Sequence, residues 1–210
     1  RTYTLSAKAK RKYDVRIEYY DNSSDALISF YHNNTNGFVK SNVKALKSAD
    51  AVVVCVGFDS STEKEGRDRI FELPFEQGKL INQIAEVNSN VIVVVNAGGG
   101  FEMESWINSA KAVLLAWYPG QKGGQAIAEI ISGKLSPSGH LPISIERKLE
   151  DNPTYGNYYH NLDVKVRANP YKRVNYKEGV FLGYRGYDRK EVKPLFPFGF
   201  GLSYTTFKYD

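Results

Sequence analysis

Hydrophobic and polar positions follow two different rhythms along this chain. In the first, Tyr13, Val15, Ile17 and Tyr19 alternate with Asp14, Arg16, Glu18 and Tyr20. That period of two is the mark of a half-buried strand. Asp21-Asn22-Ser23-Ser24-Asp25 supplies turn residues, and Ala26 to Tyr31 returns as a second strand, so residues 1–31 read as a β-hairpin. A lone hairpin is marginally stable in water. This one is therefore expected to belong to a β-sheet whose other strands lie outside the chain. The opening, Arg1-Thr2-Tyr3-Thr4-Leu5, starts as though within a strand and suggests a piece of a longer protein.

The second rhythm begins after a polar linker, His32 to Gly37. Val39, Val43 and Leu46 recur at helical spacing up to Ser48, and from there strands and helices alternate. Ala51–Phe58 is an uninterrupted apolar run and predicts a buried strand. Gln77–Val87 is a helix with Leu80, Ile81, Ile84 and Val87 on one face. Asn90–Asn96 holds five successive β-branched residues, Val91 to Val95, as expected of a strand covered on both faces. Met103–Ala110 predicts a short helix, Ala112–Trp117 a third strand, Gly123–Ser132 a helix closed by Gly133, and Leu141–Ile145 a fourth strand. Alternation at this spacing predicts right-handed βαβ units and a parallel sheet covered by helices. The fold class expected is α/β: a three-layer sandwich with a mainly parallel sheet, preceded by a β-hairpin. Residues 1–36 form one part and residues 37–210 the other. Between about 147 and 195 the periodicity fades into a polar, Tyr-rich excursion, and a loop of that length in a compact protein usually has a function.

Composition narrows the class. The chain has 210 residues, 42% of them hydrophobic, enough for a packed core. Its net charge of +5 is dispersed, with Lys8, Lys10, Arg11 and Lys12 as the one dense basic cluster. No nucleic-acid-binding motif accompanies it, so no nucleic-acid partner is expected. Cys55, the single cysteine, can form no disulfide within the chain and is expected to act as a small buried hydrophobe. His32, His140 and His160 lack ligand spacing, so neither a metal nor a cofactor is expected. No apolar stretch nears the ~20 residues that span a bilayer. Fifteen tyrosines suit the flat faces of sugar rings, and equally suit β-structure.

The chemistry concentrates in Glu63-Lys64-Glu65-Gly66-Arg67-Asp68-Arg69, directly after the first buried strand. In open parallel sheets, ligands gather at the loops on the carboxyl ends of strands. Glycosidic cleavage needs a carboxylic acid to protonate the leaving oxygen and, as a rule, a second carboxylate across the bond. Glu63 and Glu65 are two apart, so in an extended loop they point the same way as Arg67, while Asp68 and Arg69 can hold the loop by ion pairs. Residue types alone fit a solvated charged turn as well. Gly98-Gly99-Gly100 departs from the dinucleotide fingerprint, which needs a further glycine where Met103 stands; sharp turn geometry explains it better. Ser60-Ser61 lacks a nucleophile elbow and reads as loop hydrogen bonding. Trp117-Tyr118, at the carboxyl end of the third strand, is either a sugar platform or a core plug.

Spelling adds to this. Val56 to Arg69 followed by Phe71-Glu72-Leu73-Pro74 resembles the acid/base loop of family 3 glycoside hydrolases. Ala116-Trp117-Tyr118-Pro119-Gly120-Gln121, Pro137-Ser138-Gly139, Gly179 to Arg185 and the terminal Phe196 to Thr206 resemble further motifs of that family, in the same order. The resemblance implies the α/β-sandwich domain of a retaining β-glucosidase-like enzyme acting on a carbohydrate substrate. It implies Glu65, in Glu-Gly-x-Asp-Arg, as the acid/base, with Glu63 as the fallback; beside it, the residue types make Asp68 and Arg69 the candidate loop supports and Trp117 and Tyr118 the candidate substrate contacts. The hairpin is similar to the end of a protective-antigen-type β-sandwich module that some members insert. In such enzymes an N-terminal barrel domain carries the aspartate nucleophile. Nothing in this chain resembles it, so the 210 residues alone are expected to be inactive. The other class to weigh is a non-catalytic carbohydrate-binding or scaffolding domain. A periplasmic or extracellular location is implied by the family's usual polysaccharide work.

Overall fold

A computed structural model of the chain describes residues 35–66, 68–157, 176–206 and 208. All of them belong to the second of two compact units, Asn33–Asp210. The expected hairpin, the middle of the expected excursion, Arg67 and Phe207 lie outside the described residues.

Three strands, β1 (Val52–Gly57), β2 (Val91–Asn96) and β3 (Ala112–Leu115), form a parallel sheet in that order. The register runs from Val52 opposite Val91 to Gly57 opposite Asn96, and from Ile92 opposite Ala112 to Val95 opposite Leu115. Helices flank the sheet: α1 (Thr35–Ser48), α2 (Gln77–Ala85), α3 (Gly123–Ile131) and α4 (Tyr184–Lys190). This is the α/β sandwich with a parallel sheet expected from the sequence. No helix among the described residues is long and apolar enough to cross a membrane.

The core lies on the face that carries Val54, Val56, Val91, Val93 and Val95, all buried. Burying each such side chain is worth about 1.5–3 kcal/mol. From α2, Ile81 and Ile84 pack into the same cluster, and α1 packs on α2. The Asn88 side chain donates to the carbonyls of Leu46 and Ala49, both at 2.8 Å, satisfying groups that the end of α1 leaves unpaired. Helix α1 begins inside the expected polar linker, because Thr35, Asn36 and Gly37 carry no apolar side chain to mark its first turn.

Three expectations are corrected. Among the described residues strand β1 is covered on one face only: Val53 is 45% exposed and Cys55 is exposed. An unbroken apolar run does not reveal that, among the described strands, β1 stands at the end of the order with its odd-numbered residues on the second face. The expected helix at Met103–Ala110 is a single 3₁₀ turn, Ile107–Ser109, since a helix nucleus gains little over so few residues. The expected strand at Leu141–Ile145 is reduced to one antiparallel bridge, Ile145 to Phe196. Around it, Leu141 N–H donates to the Phe200 carbonyl and Gly199 N–H to the Leu141 carbonyl, both at 2.8 Å. Between these pairs stand Pro142 and Pro197, which have no N–H to give, and the Ser144 hydroxyl takes up the Phe198 N–H at 3.1 Å.

Candidate active site

The loop after β1 is built by its first residue. Asp59 Oδ1 accepts from the Ser61 N–H and hydroxyl and from the Thr62 N–H and hydroxyl, at 2.6–3.1 Å. Glu63 N–H donates to the Asp59 carbonyl at 2.7 Å. This side-chain-closed turn is the loop bonding expected of Ser61, and it turns Glu63 back over the end of the sheet.

There Glu63 meets donors from three strand ends. Arg69 Nε donates to Oε1 at 2.6 Å, the Gly98 N–H to Oε2 at 2.9 Å, and the Tyr118 hydroxyl to Oε2. Arg69 follows β1, Gly98 follows β2 and Tyr118 follows β3, so one carboxylate ties the carboxyl edge together. Arg69 in turn donates to the carbonyls of Ile70 at 3.1 Å and Gly100 at 2.6 Å. Its guanidinium lies 4.3 Å from the centre of the Phe58 ring, a cation–π contact. Phe58 packs edge-on against Phe101, and Phe101 stacks on Trp106. The clamp is thereby seated on the core.

The electrostatics follow from that seating. Burial pushes the Glu63 pKa up, but hydrogen bonds from Tyr118, Gly98 and Arg69, together with the Arg69 charge, outweigh it and leave the carboxyl below its ordinary value. Glu63 is held as an anion that accepts from three donors. Burial, with the Glu63 hydrogen bond and charge, pushes the Tyr118 phenol up to about 12, so it stays a donor. Gly98 is needed for close approach: a Cβ there would lie 3.1 Å from the Tyr118 ring and 3.3 Å from both Glu63 oxygens. The backbone also bends at Gly98 and Gly99, as expected of the glycine run.

Glu65 has a different setting. It is exposed, at a turn that Gly66 makes with φ of 70°, a left-handed conformation that favours glycine. Among the described residues it makes no hydrogen bond or ion pair. The two glutamates therefore do not point the same way: Glu63 is turned inward and Glu65 outward. Asp68 is exposed and forms no ion pair among the described residues, so of the two expected loop supports the structure engages Arg69. Tyr118 joins the clamp by its hydroxyl while its ring is 55% exposed. Trp117 has a left-handed backbone, φ 52°, and its carbonyl accepts from Asn96 Nδ2 at 2.9 Å.

Some participants were not read from the sequence. The Gln77 side chain accepts from the Gly57 N–H at 2.7 Å and donates to the Gly57 carbonyl at 3.1 Å. It clips the end of β1 from the start of α2. Asn96, the last residue of β2, was also missed; a polar residue ending an apolar strand run was its only signal. Among the described residues no three His, Cys, Asp or Glu side chains gather as metal ligands.

A parallel α/β domain that presents a carboxylate–arginine clamp and a free glutamate at its carboxyl edge belongs to a class whose site is assembled on strand-end loops. Comparison with known proteins is more specific. The profile of the glycosyl hydrolase family 3 C-terminal domain matches residues 4–184, and the chain belongs to that family. It is 43% identical over 173 residues to beta-glucosidase B of Emericella nidulans, covering 80% of this chain and 20% of that protein. It is 45% identical over 168 residues to thermostable beta-glucosidase B of Acetivibrio thermocellus, covering 80% and 21%. The crystal structure of a family 3 beta-glucosidase from Bifidobacterium adolescentis superposes with a TM-score of 0.72 at 37% identity, over 81% of this chain and 24% of that one. The chain spans about a fifth of the length of the curated relatives it matches.

Proposed function

We propose that this chain supplies the acid/base half of a retaining β-glucosidase that releases terminal β-linked glucose-like residues from oligosaccharides or glycosides. Glu65 is the acid/base. The observation that carries the choice is the contrast within one loop: Glu63 is ionised and already accepts from three donors, whereas Glu65 stands exposed and uncommitted. A proton donor has to reach the leaving oxygen, and Glu63 can do so only by breaking the clamp. In this reading Glu65 gives its proton to the leaving oxygen and then takes one from water, while a nucleophilic carboxylate about 5–5.5 Å away forms the glycosyl intermediate. That nucleophile comes from a part of the parent protein outside this chain, so the 210 residues alone are inactive. The relatives' names support the substrate class; a periplasmic or extracellular site of action is part of the same proposal and rests on the polysaccharide work usual for the family.

The test is Glu65→Ala in the parent enzyme. Turnover of an unactivated β-glucoside should collapse, turnover of an aryl β-glucoside with an acidic leaving group should lose far less in glycosylation, and azide should restore the slow second step. The same pattern from Glu63→Ala, with Glu65→Ala near wild type, would overturn the assignment.

A further inference from the structure

A cleft of ≈ 700 Å³ opens beside the charged loop, with Asp68 and Arg69 on one wall. Neither Glu63 nor Glu65 lines it, so it is a cavity apart from the carboxyl that the proposed function uses. Its floor is polar and buried. Glu146 is 6% exposed; its Oε1 accepts from Asn152 Nδ2, and among the described residues no cation pairs with it. Tyr187, 3% exposed, brings its hydroxyl to the same floor, without a hydrogen bond of standard geometry among the described residues. Burial and the Glu146 charge push this phenol's pKa up, so it keeps its proton and remains a donor. On the wall, Arg69 gives one N–H each to Glu63, Ile70 and Gly100, and a guanidinium has two more to give. Asp68 beside it is exposed. The rim is aromatic: Tyr184 and Phe198 are 45% and 54% exposed, with ring centres 5.4 Å apart.

We propose that this cleft is a second carbohydrate site, apart from the scissile one. It seats one pyranose unit with a ring face on Tyr184 and Phe198 and its hydroxyls among Tyr187, Glu146, Arg69 and Asp68. The choice of ligand follows from how donors and acceptors alternate. A hydroxyl accepts one hydrogen bond and donates another, so it satisfies a donor and an acceptor that stand side by side. Tyr187 and Glu146 form such a pair on the floor, and Arg69 and Asp68 form a second on the wall. A phosphate or carboxylate would suit Tyr187 and Arg69 but would meet Glu146 and Asp68 as like charges. An ammonium would suit the two carboxylates and leave the Tyr187 proton unmet. An apolar ligand would bury all four groups without partners, which costs free energy at each.

The rim completes the match. A pyranose has an apolar C–H face, and exposed aromatic rings offer it a flat apolar surface. A few convergent polar groups beneath such a rim are the ordinary make-up of a small-molecule site. Position gives the site a consequence. Arg69, which would hold the sugar, also ties Glu63 to the end of the sheet, so an occupied cleft bears on the loop that carries Glu65. The ligand chemistry comes from these groups alone and holds whichever glutamate is the acid/base. A free monosaccharide and a distal unit of a bound oligosaccharide present the same pyranose.

Crystals of the full-length parent enzyme soaked in glucose test this, because the density is read at the cleft itself and needs no turnover. The wild type should hold a pyranose against Tyr184 and Phe198. Tyr187→Phe, which removes one oxygen and keeps the ring, should leave the cleft empty in the same soak. A wild-type cleft without sugar overturns the proposal, whether other chain fills it or glucose goes to the scissile site alone. A pyranose that Tyr187→Phe holds equally well also overturns it, as binding at crystal concentration only. Kinetics separate the two sources. If a distal substrate unit occupies the cleft, Tyr187→Phe should raise KM for a β-linked trisaccharide by about tenfold, the worth of one hydrogen bond, and by more than KM for an aryl β-glucoside. If a free monosaccharide occupies it, the two KM values move together. A Glu65→Ala enzyme that stays active while the cleft holds glucose sinks the acid/base reading alone.

Discussion

Replacing Glu63 by Ala removes the acceptor shared by Arg69, Gly98 and Tyr118, and the size of the loss can be worked from the geometry. The Glu63 and Arg69 side chains are 19% and 15% exposed, so the pair is largely desolvated. Breaking a buried pair by deleting one partner costs about 3–5 kcal/mol, because the surviving charge is left uncompensated. Arg69 keeps the Ile70 and Gly100 carbonyls and the Phe58 face, which places the cost at the low end, about 3 kcal/mol. Glu65→Ala removes an exposed side chain with no partner among the described residues and should stay within about 0.5 kcal/mol. Urea unfolding of the chain, followed by fluorescence of Trp106 against its Phe101 stack, measures both. With a slope of about 2 kcal/mol per molar urea, Glu63→Ala should lower the midpoint by about 1.5 M and Glu65→Ala by less than about 0.25 M. Equal shifts, or a larger shift for Glu65→Ala, would refute the division of roles between the two glutamates.

Other expectations follow from the same clamp. Tyr118 holds its proton to about pH 12 when folded, against an ordinary value of 10.0. The unfolded chain therefore binds fewer protons above 10, and the tyrosine's contribution to stability should be present below that pH and fade between about 10 and 12. The low-pH arm has the opposite sign: Glu63 is depressed below 4.5, so its contribution is intact above that value and is lost as the pH falls through the folded pKa. Thermal unfolding across both ranges should show both losses in the wild type and neither in a Glu63→Ala, Tyr118→Phe double variant. Gly98→Ala places a methyl 3.1 Å from the Tyr118 ring. Overpacking of that kind costs about 1–3 kcal/mol, and the same urea assay should find it, while a neutral result would show that the three loops are not tightly tied.

The sheet was legible because β-branched runs and their spacing are local facts. Val91 to Val95 can hardly be anything but a central strand, and the helices between such runs follow from periodicity. Exposure was less legible. The run that contains Val53 and Cys55 looks buried on both faces, yet among the described strands β1 stands at the end of the sheet order, and no residue within the run records its neighbours. Leu141–Ile145 likewise has the apolar content of a strand, and the competing fact, a proline on each side of the pairing, involves residues 55 positions apart in sequence. The charged loop after β1 was legible in place and in residue type. Which carboxylate is bound was not, because the deciding donors are Gly98 and Tyr118, 35 and 55 residues away from Glu63. Tyr118 engages Glu63 through its hydroxyl while its ring stays exposed, a bond that its place after the third strand does not record.

The same distances explain why two glutamates two residues apart carry different burdens. A catalytic side chain has to be held close to its working geometry, and that precision comes from neighbours that are themselves locked. Glu63 locks the loop by linking the ends of all three strands, through Arg69 to β1, through Gly98 to β2 and through Tyr118 to β3. Gln77 at Gly57 and Asn96 at the Trp117 carbonyl stiffen the same edge. A residue so engaged cannot also give and take a proton without loosening the platform beneath the substrate. Gly66 then turns the chain outward, and Glu65 stands on a fixed base with a free carboxyl. A carboxyl that donates a proton near neutral pH has to be desolvated or set beside another negative charge. Glu65 is exposed in this chain, so under the function proposed above both that environment and the nucleophile come from the part of the parent polypeptide that closes over the loop, and Glu63 keeps the loop in place to receive it.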